Sequence, residues 1–194
     1  SPVHFPKLNA RRSCEGREMN RRQLEHVIRA AAELTGETEI VVVGSQAILA
    51  AGARVPDAML RSQEADLYPL RNPQLADLVE GAIGAGSIFE ETFGYHADGV
   101  GPETAKLPRG WFDRACRLTF DTTAATGICP EPNDLALSKL ISGRPKDLDW
   151  VQSGLAAGLF EAATMQARLH DVPGLGDDAR DLAKRRLAQM SRAP

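Results

Sequence analysis

Two acidic side chains, Glu64 and Asp66, are separated by a single residue in the segment SQEADLYP. The segment EADLYPL alternates in polarity, which predicts a β-strand, and alternate residues of a strand point to the same face. Two carboxylates side by side are unfavourable unless a cation lies between them. Mg²⁺ commonly binds carboxylates together with substrate phosphates. The pair therefore indicates a metal site or, more simply, a polar strand edge that faces solvent.

A second candidate precedes this pair, in the segment VVVGSQAILAAG. EIVVVG predicts a buried strand because it is apolar on both faces, and SQAILAAGA predicts a helix that opens at Ser45. The first N–H groups of a helix lack internal partners and carry partial positive charge, so a phosphate can bind there. Gly44 would allow close approach to the backbone, and Ser45 would add a hydroxyl donor. The simpler interpretation is a serine cap beside a turn glycine.

Together, the strand, the Gly-Ser pair and the acidic-x-acidic strand resemble the DNA polymerase β-like nucleotidyltransferase superfamily. The wider sequence is most similar to bacterial DUF6036-type nucleotidyltransferase-like proteins, which are distantly akin to AbiEii-type toxins. The resemblance extends from Met19 to about Leu159 and is carried by VVVGSQAILA, SQEADLYP, YHADGVGPETAKLPRGWFDR and PNDLALSKLISGRPKDLDWV.

The resemblance implies a role for each matching residue. Gly44 and Ser45 would hold the triphosphate of a nucleotide, and Glu64 and Asp66 would ligate Mg²⁺ or Mn²⁺. Lys139 is expected to face the nucleotide phosphates, with a solvated charge on the helix as the equal alternative. Glu64 departs from the pattern, since many active members carry Asp there, and the longer side chain would shift the metal.

A third carboxylate is expected on a following strand, near the acceptor hydroxyl. The resemblance favours Asp98 in YHADGV as this metal-binding and catalytic residue, and Asp121 after RLTF is the competitor. His96 could share a strand face with Asp98 and act as a metal ligand or a base, although a structural histidine is favoured. Arg144 and Lys146 are expected in solvent or in pairs with Asp147 and Asp149.

The remaining periodicity predicts a mixed α/β or α+β domain with a helical C-terminal part. The resemblance implies an α+β fold with a small mixed sheet flanked by helices. The predicted helices include one capped by Asn20 and ended by Gly36, one broken by glycines after NPQLADLVE, and one in EPNDLALSKLISG capped by Asn133 or Asp134. We divide the chain into an irregular tail (1–18), a nucleotidyltransferase-like core (19–130) and a helical region packed on it (131–194). Met19 is a candidate natural start, with the tail a tag remnant or an upstream extension.

The composition limits the range of functions. The chain has 194 residues, a formal net charge of −3 and three cysteines with no CxxC pair. A disulfide scaffold or zinc site is therefore disfavoured, a reducing cytoplasm is expected, and no global positive field attracts nucleic acid. No apolar run has the length of a membrane span, which is about 18 residues.

The leading hypothesis is an enzyme that moves a nucleoside monophosphate from an NTP to an acceptor hydroxyl on a protein, an RNA end or a small molecule. The resemblance to toxins suggests a toxin–antitoxin or defence context with a cognate partner protein. An inactive nucleotidyltransferase fold that serves as a binding module is the alternative. A third possibility involves no nucleotide, with Ser45 as a helix cap and the acidic pair as a surface feature.

Overall fold

The computed structural model of the protein describes residues 18–191. The predicted tail, except for Glu18, and the proposed tag remnant therefore lie outside the described residues. The first helix begins as its sequence predicts. The Asn20 side chain accepts a hydrogen bond from the Gln23 N–H, the Gln23 side chain accepts one from the Asn20 N–H, and Gly36 ends the helix with a positive φ of 70°.

A five-stranded mixed sheet is the centre of the fold, in the order β3-β2-β1-β5-β4. Its strands are Glu39–Val42 (β1), Glu64–Pro69 (β2), His96–Gly99 (β3), Cys116–Phe120 (β4) and Thr123–Cys129 (β5). β1 runs parallel to β5 and antiparallel to β2, and β2 runs parallel to β3. The carboxyl end of β1 therefore lies at the same end of the sheet as the amino ends of β2 and β3.

Helices flank this sheet. The α-helices are Arg21–Thr35 (α1), Ala76–Ile83 (α2), Ile88–Phe93 (α3), Trp111–Arg114 (α4), Pro132–Ser142 (α5), Pro145–Ala156 (α6), Ala162–Arg168 (α7) and Asp177–Met190 (α8). Short 3₁₀ helices are Ser45–Ala51, Asp57–Met59, Pro73–Leu75, Pro102–Thr104 and Leu169–Asp171. The predicted α+β class is confirmed. No described helix has both the length and the apolar character that crossing a membrane requires.

The central strand β1 has buried side chains on both faces, which explains its continuous apolar sequence. Ile40 and Val42 belong to the main core with α1, α2 and α5, whereas Val41 and Val43 belong to a smaller cluster that includes Tyr68. The partly buried Trp111 packs against this smaller cluster.

Polar contacts attach the C-terminal helices to the core. Asp134 on α5 is fully buried and contacts Arg114 and Arg168, whose guanidinium atoms lie 2.9 and 2.8 Å from its carboxylate oxygens. The cap of α5 is Glu131, whose side chain accepts from the Asp134 N–H. The expectation that Asn133 or Asp134 caps this helix was wrong, because Asn133 contacts Glu161 and Asp134 pairs with arginines. The domain division stays a prediction.

Loss of the α1 cap should destabilise the fold modestly. We expect Asn20→Ala to lower the free energy of unfolding by about 1 kcal/mol, because the Gln23 N–H loses its acceptor. Asn20→Ser, which keeps a capping oxygen, is the matched control and should remain close to wild type. Urea unfolding followed by circular dichroism measures both variants. Equal losses in the two would contradict a capping role.

Candidate active site at the edge of the sheet

The acidic residues of β2 and β3 lie directly beside one another. In the parallel register between these strands, Glu64 is opposite His96 and Asp66 is opposite Asp98. The intervening Ala65 is fully buried on the core side, so Glu64 and Asp66 share the other face, as the alternation predicts. Two neighbouring strands therefore bring three carboxylates and an imidazole to one edge of the sheet.

Three of these side chains come within bridging distance of one another. One ligand atom each from Glu64, His96 and Asp98 lies within 4.8 Å of the other two. His96 Nε2 lies 3.2 Å from Asp98 Oδ1, and His96 Nδ1 lies 2.8 Å from Glu90 Oε1 on α3. The group combines oxygen and nitrogen donors that suit a divalent cation.

Asp66 lies next to Gly44, at the end of β1. The backbone N–H of Val43 donates to the Asp66 carbonyl at 2.9 Å, which fixes the two chains against each other. A Cβ built on Gly44 would lie 2.3 Å from Asp66 Oδ2, a distance that real Cβ contacts do not reach. Gly44 is therefore required for the position of this carboxylate, a reason that the isolated Gly-Ser pair does not reveal.

The crowding changes the acidity of the carboxyls. Burial raises the pKa of Asp66 above its ordinary value, and the charges of Glu64 and Asp98 raise it further, while Lys139 and Lys146 partly oppose the shift. Burial likewise raises the pKa of Asp98. The charge of His96 opposes this increase, and the charge of Glu64 adds to it. These carboxylates are therefore placed where a cation would stabilise their charged forms.

A cleft of about 240 Å³ opens beside the acidic group. Ser45 and Glu64 contribute to its lining from the core, and Lys146 and Trp150 contribute from α6. A larger cavity of about 550 Å³ lies beside α1 and the start of β5, and none of the predicted site residues lines it. The smaller cleft is therefore the relevant one, because Ser45 and Glu64 meet there.

The role predicted for Ser45 as a helix cap was wrong. Ser45–Ala51 is a 3₁₀ helix of seven residues, its N-cap is Gly44, and no side chain makes a capping bond. The Ala47 N–H already donates to the Gly44 carbonyl at 3.1 Å. Contact with a phosphate would thus depend on the position of Ser45 in the cleft rather than on a long helix dipole.

Lys139 takes part in a buried ionic network. Its Nζ lies 3.1 Å from Asp147 Oδ1 and 5.4 Å from the centre of the Trp150 ring. Asp147 also accepts from Arg144 at 2.6 Å and from the Ser142 hydroxyl at 2.9 Å. Burial alone would raise the pKa of Asp147, but these hydrogen bonds and the Lys139 charge outweigh burial and hold it below its ordinary value.

Asp98 and Asp121 occupy different parts of the sheet. Asp98 lies on β3 beside Asp66, whereas Asp121 is an exposed residue of the turn between β4 and β5. That turn lies at the opposite edge of the sheet and at the opposite end of the strands. The geometry thus associates Asp98, and not Asp121, with the acidic pair.

Sequence reasoning missed Glu90 and Trp150. The Ser87 side chain accepts a hydrogen bond from the Glu90 N–H, and the Glu90 side chain accepts one from the Gly86 N–H. A serine followed three residues later by Glu is a sequence pattern that could have indicated such a helix start. The contact of Glu90 with His96 is tertiary and leaves no such local signal. Trp150 lines the cleft and donates from Nε1 to the Met59 carbonyl at 3.2 Å.

Comparison with known families identifies the family of the chain. A family model described as nucleotidyltransferase of unknown function (DUF6036) matches residues 22–187. The chain belongs to this family. The resemblance inferred from the sequence motifs is therefore confirmed. Searches of curated proteins and of solved structures found no match. The name of the family indicates the class of reaction, and the DUF6036 match covers all the site residues named above.

The contact between Gly44 and Asp66 predicts an effect on cation binding. We expect Gly44→Ala to weaken Mn²⁺ binding by about tenfold, because the new Cβ would displace the Asp66 carboxylate. Gly81→Ala is the control, since nothing lies within 4 Å of a Cβ at that position. Isothermal titration with Mn²⁺ compares the two. Unchanged affinity in Gly44→Ala would contradict a metal role for Asp66.

The buried network predicts a pH-dependent contribution to stability. Asp147→Asn leaves Lys139 buried without its charged partner and should lower the free energy of unfolding at neutral pH by about 3–5 kcal/mol. Because the folded-state pKa of Asp147 is lowered, its contribution is present above the unfolded pKa of about 4 and is lost as the pH falls through the folded value.

Urea unfolding at neutral and acidic pH measures this dependence. The difference between wild type and Asp147→Asn should shrink towards the acidic end. The exposed Asp149, two residues away, supplies the control, and Asp149→Asn should change the free energy of unfolding by no more than about 0.5 kcal/mol. A difference that is constant across the pH range would contradict the charge-based explanation.

Proposed function

We propose that the protein is a metal-dependent nucleotidyltransferase that moves a nucleoside monophosphate from an NTP to an acceptor hydroxyl. The observation that carries this proposal is the in-register pairing of Asp66 with Asp98 on adjacent strands, beside a cleft that Ser45 and Glu64 both line. Family membership supports the reaction class, and the geometry supports the site.

The residues present fit a divalent cation. Glu64, Asp66 and Asp98 offer carboxylate oxygens, and the raised pKa values of Asp66 and Asp98 reflect burial first and mutual repulsion second. Bringing a cation to such a group removes an electrostatic cost that the folded protein otherwise bears. Oxygen donors of this kind suit Mg²⁺ or Mn²⁺. We assign these three carboxylates as the metal ligands.

The triphosphate would lie in the cleft beside Ser45. Ser45 provides a hydroxyl, and Gly44 leaves the backbone accessible next to Asp66. Arg61 and Lys146 also line the cleft and provide positive charge for phosphate oxygens. Lys139 is not among the residues that line this cleft. Its ammonium group donates a hydrogen bond to Asp147, and its charge lowers the pKa of Asp66.

The reaction is a displacement at the α-phosphorus. The acceptor hydroxyl oxygen forms a bond to phosphorus, its proton passes to the Asp98 carboxylate, and the bond to the pyrophosphate oxygen breaks. Pyrophosphate leaves with the bonding electrons, and Asp98 then releases the proton to solvent. A bound divalent cation would neutralise the negative charge on the phosphates. The contribution of the protein is to position the reactants and to supply fixed charges.

The acceptor is a protein side chain, an RNA 3′ end or a small molecule, and the acidic composition disfavours a large RNA. A cytoplasmic toxin–antitoxin or defence role with a cognate partner protein remains part of the proposal. Glu64 is the one observation that favours the second candidate, a fold that binds nucleotide without turnover. Its longer side chain would shift the cation relative to the position that Asp gives in many relatives.

Labelled NTPs test the proposal directly. Incubation with α-labelled NTPs, Mg²⁺ or Mn²⁺ and cell extract should yield a labelled acceptor. Asp66→Asn should reduce the rate of labelling by about 100-fold or more, because an essential charge is removed. Asp121→Asn, at the opposite edge of the sheet, is the matched control and should label normally.

Each alternative has its own result. Equal labelling by Asp66→Asn and wild type would contradict the assigned metal site. Nucleotide binding without any labelling, under either metal, would assign the protein to the binding-module class. If calorimetry detects no heat of Mg-ATP binding, and Mg-ATP does not change the melting temperature, the protein binds no nucleotide. The acidic pair is then a surface feature without a role in nucleotide binding.

A further inference from the structure

We propose that His96 is a metal ligand together with Glu64 and Asp98, and that this centre binds Mn²⁺ more tightly than Mg²⁺. The inference rests on the proposed function only in using the same metal-binding carboxylates. It adds a nitrogen donor and a metal preference that an all-carboxylate site does not have.

The imidazole lies in the right place to complete a metal centre. His96 Nε2 is 3.2 Å from Asp98 Oδ1, and a Glu64 oxygen lies within 4.8 Å of the ligand atoms of both. Two donor atoms 3.2 Å apart, each about 2.1 Å from a common metal, would subtend an angle of about 100°. That angle lies between the values of about 90° for an octahedral site and about 109° for a tetrahedral one, so little rearrangement of this pair is needed to bind a metal.

Glu90 and Asp98 contact different nitrogens of the imidazole, and Glu90 is the nearer of the two carboxylates. Glu90 Oε1 lies 2.8 Å from His96 Nδ1, and its Oε2 accepts from the Gly86 N–H at 2.7 Å. A carboxylate at Nδ1 favours the tautomer that carries its proton there, which leaves a lone pair on Nε2. Carboxylate–histidine–metal arrangements of this kind are usual around ligating histidines. Glu90 is therefore a positioning residue for the metal ligand.

In this tautomer, two acceptor atoms face each other. The Nε2 lone pair and Asp98 Oδ1 lie 3.2 Å apart, and His96 is only 9% exposed. Repulsion between these two acceptors is an electrostatic cost that a cation between them would remove. In this tautomer, Nε2 faces the cation site as an acceptor and carries no proton that it could donate to Asp98.

The donor set determines which metal is preferred. Mg²⁺ takes oxygen ligands almost exclusively and keeps several waters, whereas imidazole suits first-row transition metals. Carboxylates suit Mn²⁺ as well as Mg²⁺, and Mn²⁺, as a first-row transition metal, also accepts imidazole. A centre that adds an imidazole to its carboxylate ligands should therefore bind Mn²⁺ more tightly than Mg²⁺.

Pulsed electron paramagnetic resonance of Mn²⁺ bound to the full chain tests this inference without nucleotide or turnover. The wild type should show coupling of Mn²⁺ to a histidine ¹⁴N nucleus. His96→Asn should abolish that coupling and lower Mn²⁺ affinity by tenfold or more, with little change in Mg²⁺ affinity. Glu90→Gln should keep the coupling and lose about tenfold in Mn²⁺ affinity.

The matched control is His170→Asn, since His170 is an exposed histidine near α7 that lies apart from the acidic group. This variant should retain both the coupling and the affinity. Absence of nitrogen coupling in the wild type, a measurement that does not depend on how any variant folds, would overturn the inference. In that case His96 has a structural role, in which it lies between Glu90 and Asp98 and contacts both.

The two proposals fail in distinguishable ways. Nitrogen coupling without transfer of label from the NTP would support His96 as a metal ligand and contradict the proposed reaction. Transfer of label without nitrogen coupling would support the proposed reaction and contradict the assignment of His96 as a metal ligand.

Discussion

Repulsion among like charges is the constraint on which this site depends. Asp66 and Asp98 are in register on adjacent strands, and Glu64 lies on the same face as Asp66. The sheet holds them there because Ala65 and Ala97, the alternating residues, are fully buried on the opposite face. A strand cannot move its acidic residues apart without removing its apolar residues from the core. The folded protein therefore retains a charge arrangement that a bound cation would relieve.

Positive charge opposite the acidic group comes from the C-terminal helices. Lys139 is nearly buried, and its partner Asp147 is held in turn by Arg144. A lysine held by a buried carboxylate is not free to move into the cleft. Asp66 therefore lies in a field that is partly negative from its own sheet and partly positive from α5 and α6. The helical region thus contributes to the site as well as to the core.

The fold and the acidic strand could be predicted from the sequence because both depend on local periodicity. The alternation in EADLYPL predicts which face carries Glu64 and Asp66, and the continuous apolar run in β1 predicts a strand with two covered faces. The roles of Gly44 and Glu90 could not be predicted, because each depends on a neighbour brought close only by folding. Likewise, the expected helix cap at Ser45 failed because the chain forms a short 3₁₀ helix, and periodicity alone does not separate that from an α-helix.

Diffraction from crystals grown with Mn²⁺ and a non-hydrolysable NTP analogue tests the central claim most directly, namely that the crowded carboxylates are a cation site that holds a triphosphate. We predict an anomalous manganese peak among Glu64, Asp66 and Asp98, with phosphate oxygens between that peak and Ser45. A nucleotide bound elsewhere, or carboxylates that remain in place with no manganese peak among them at saturating metal, would contradict the claim.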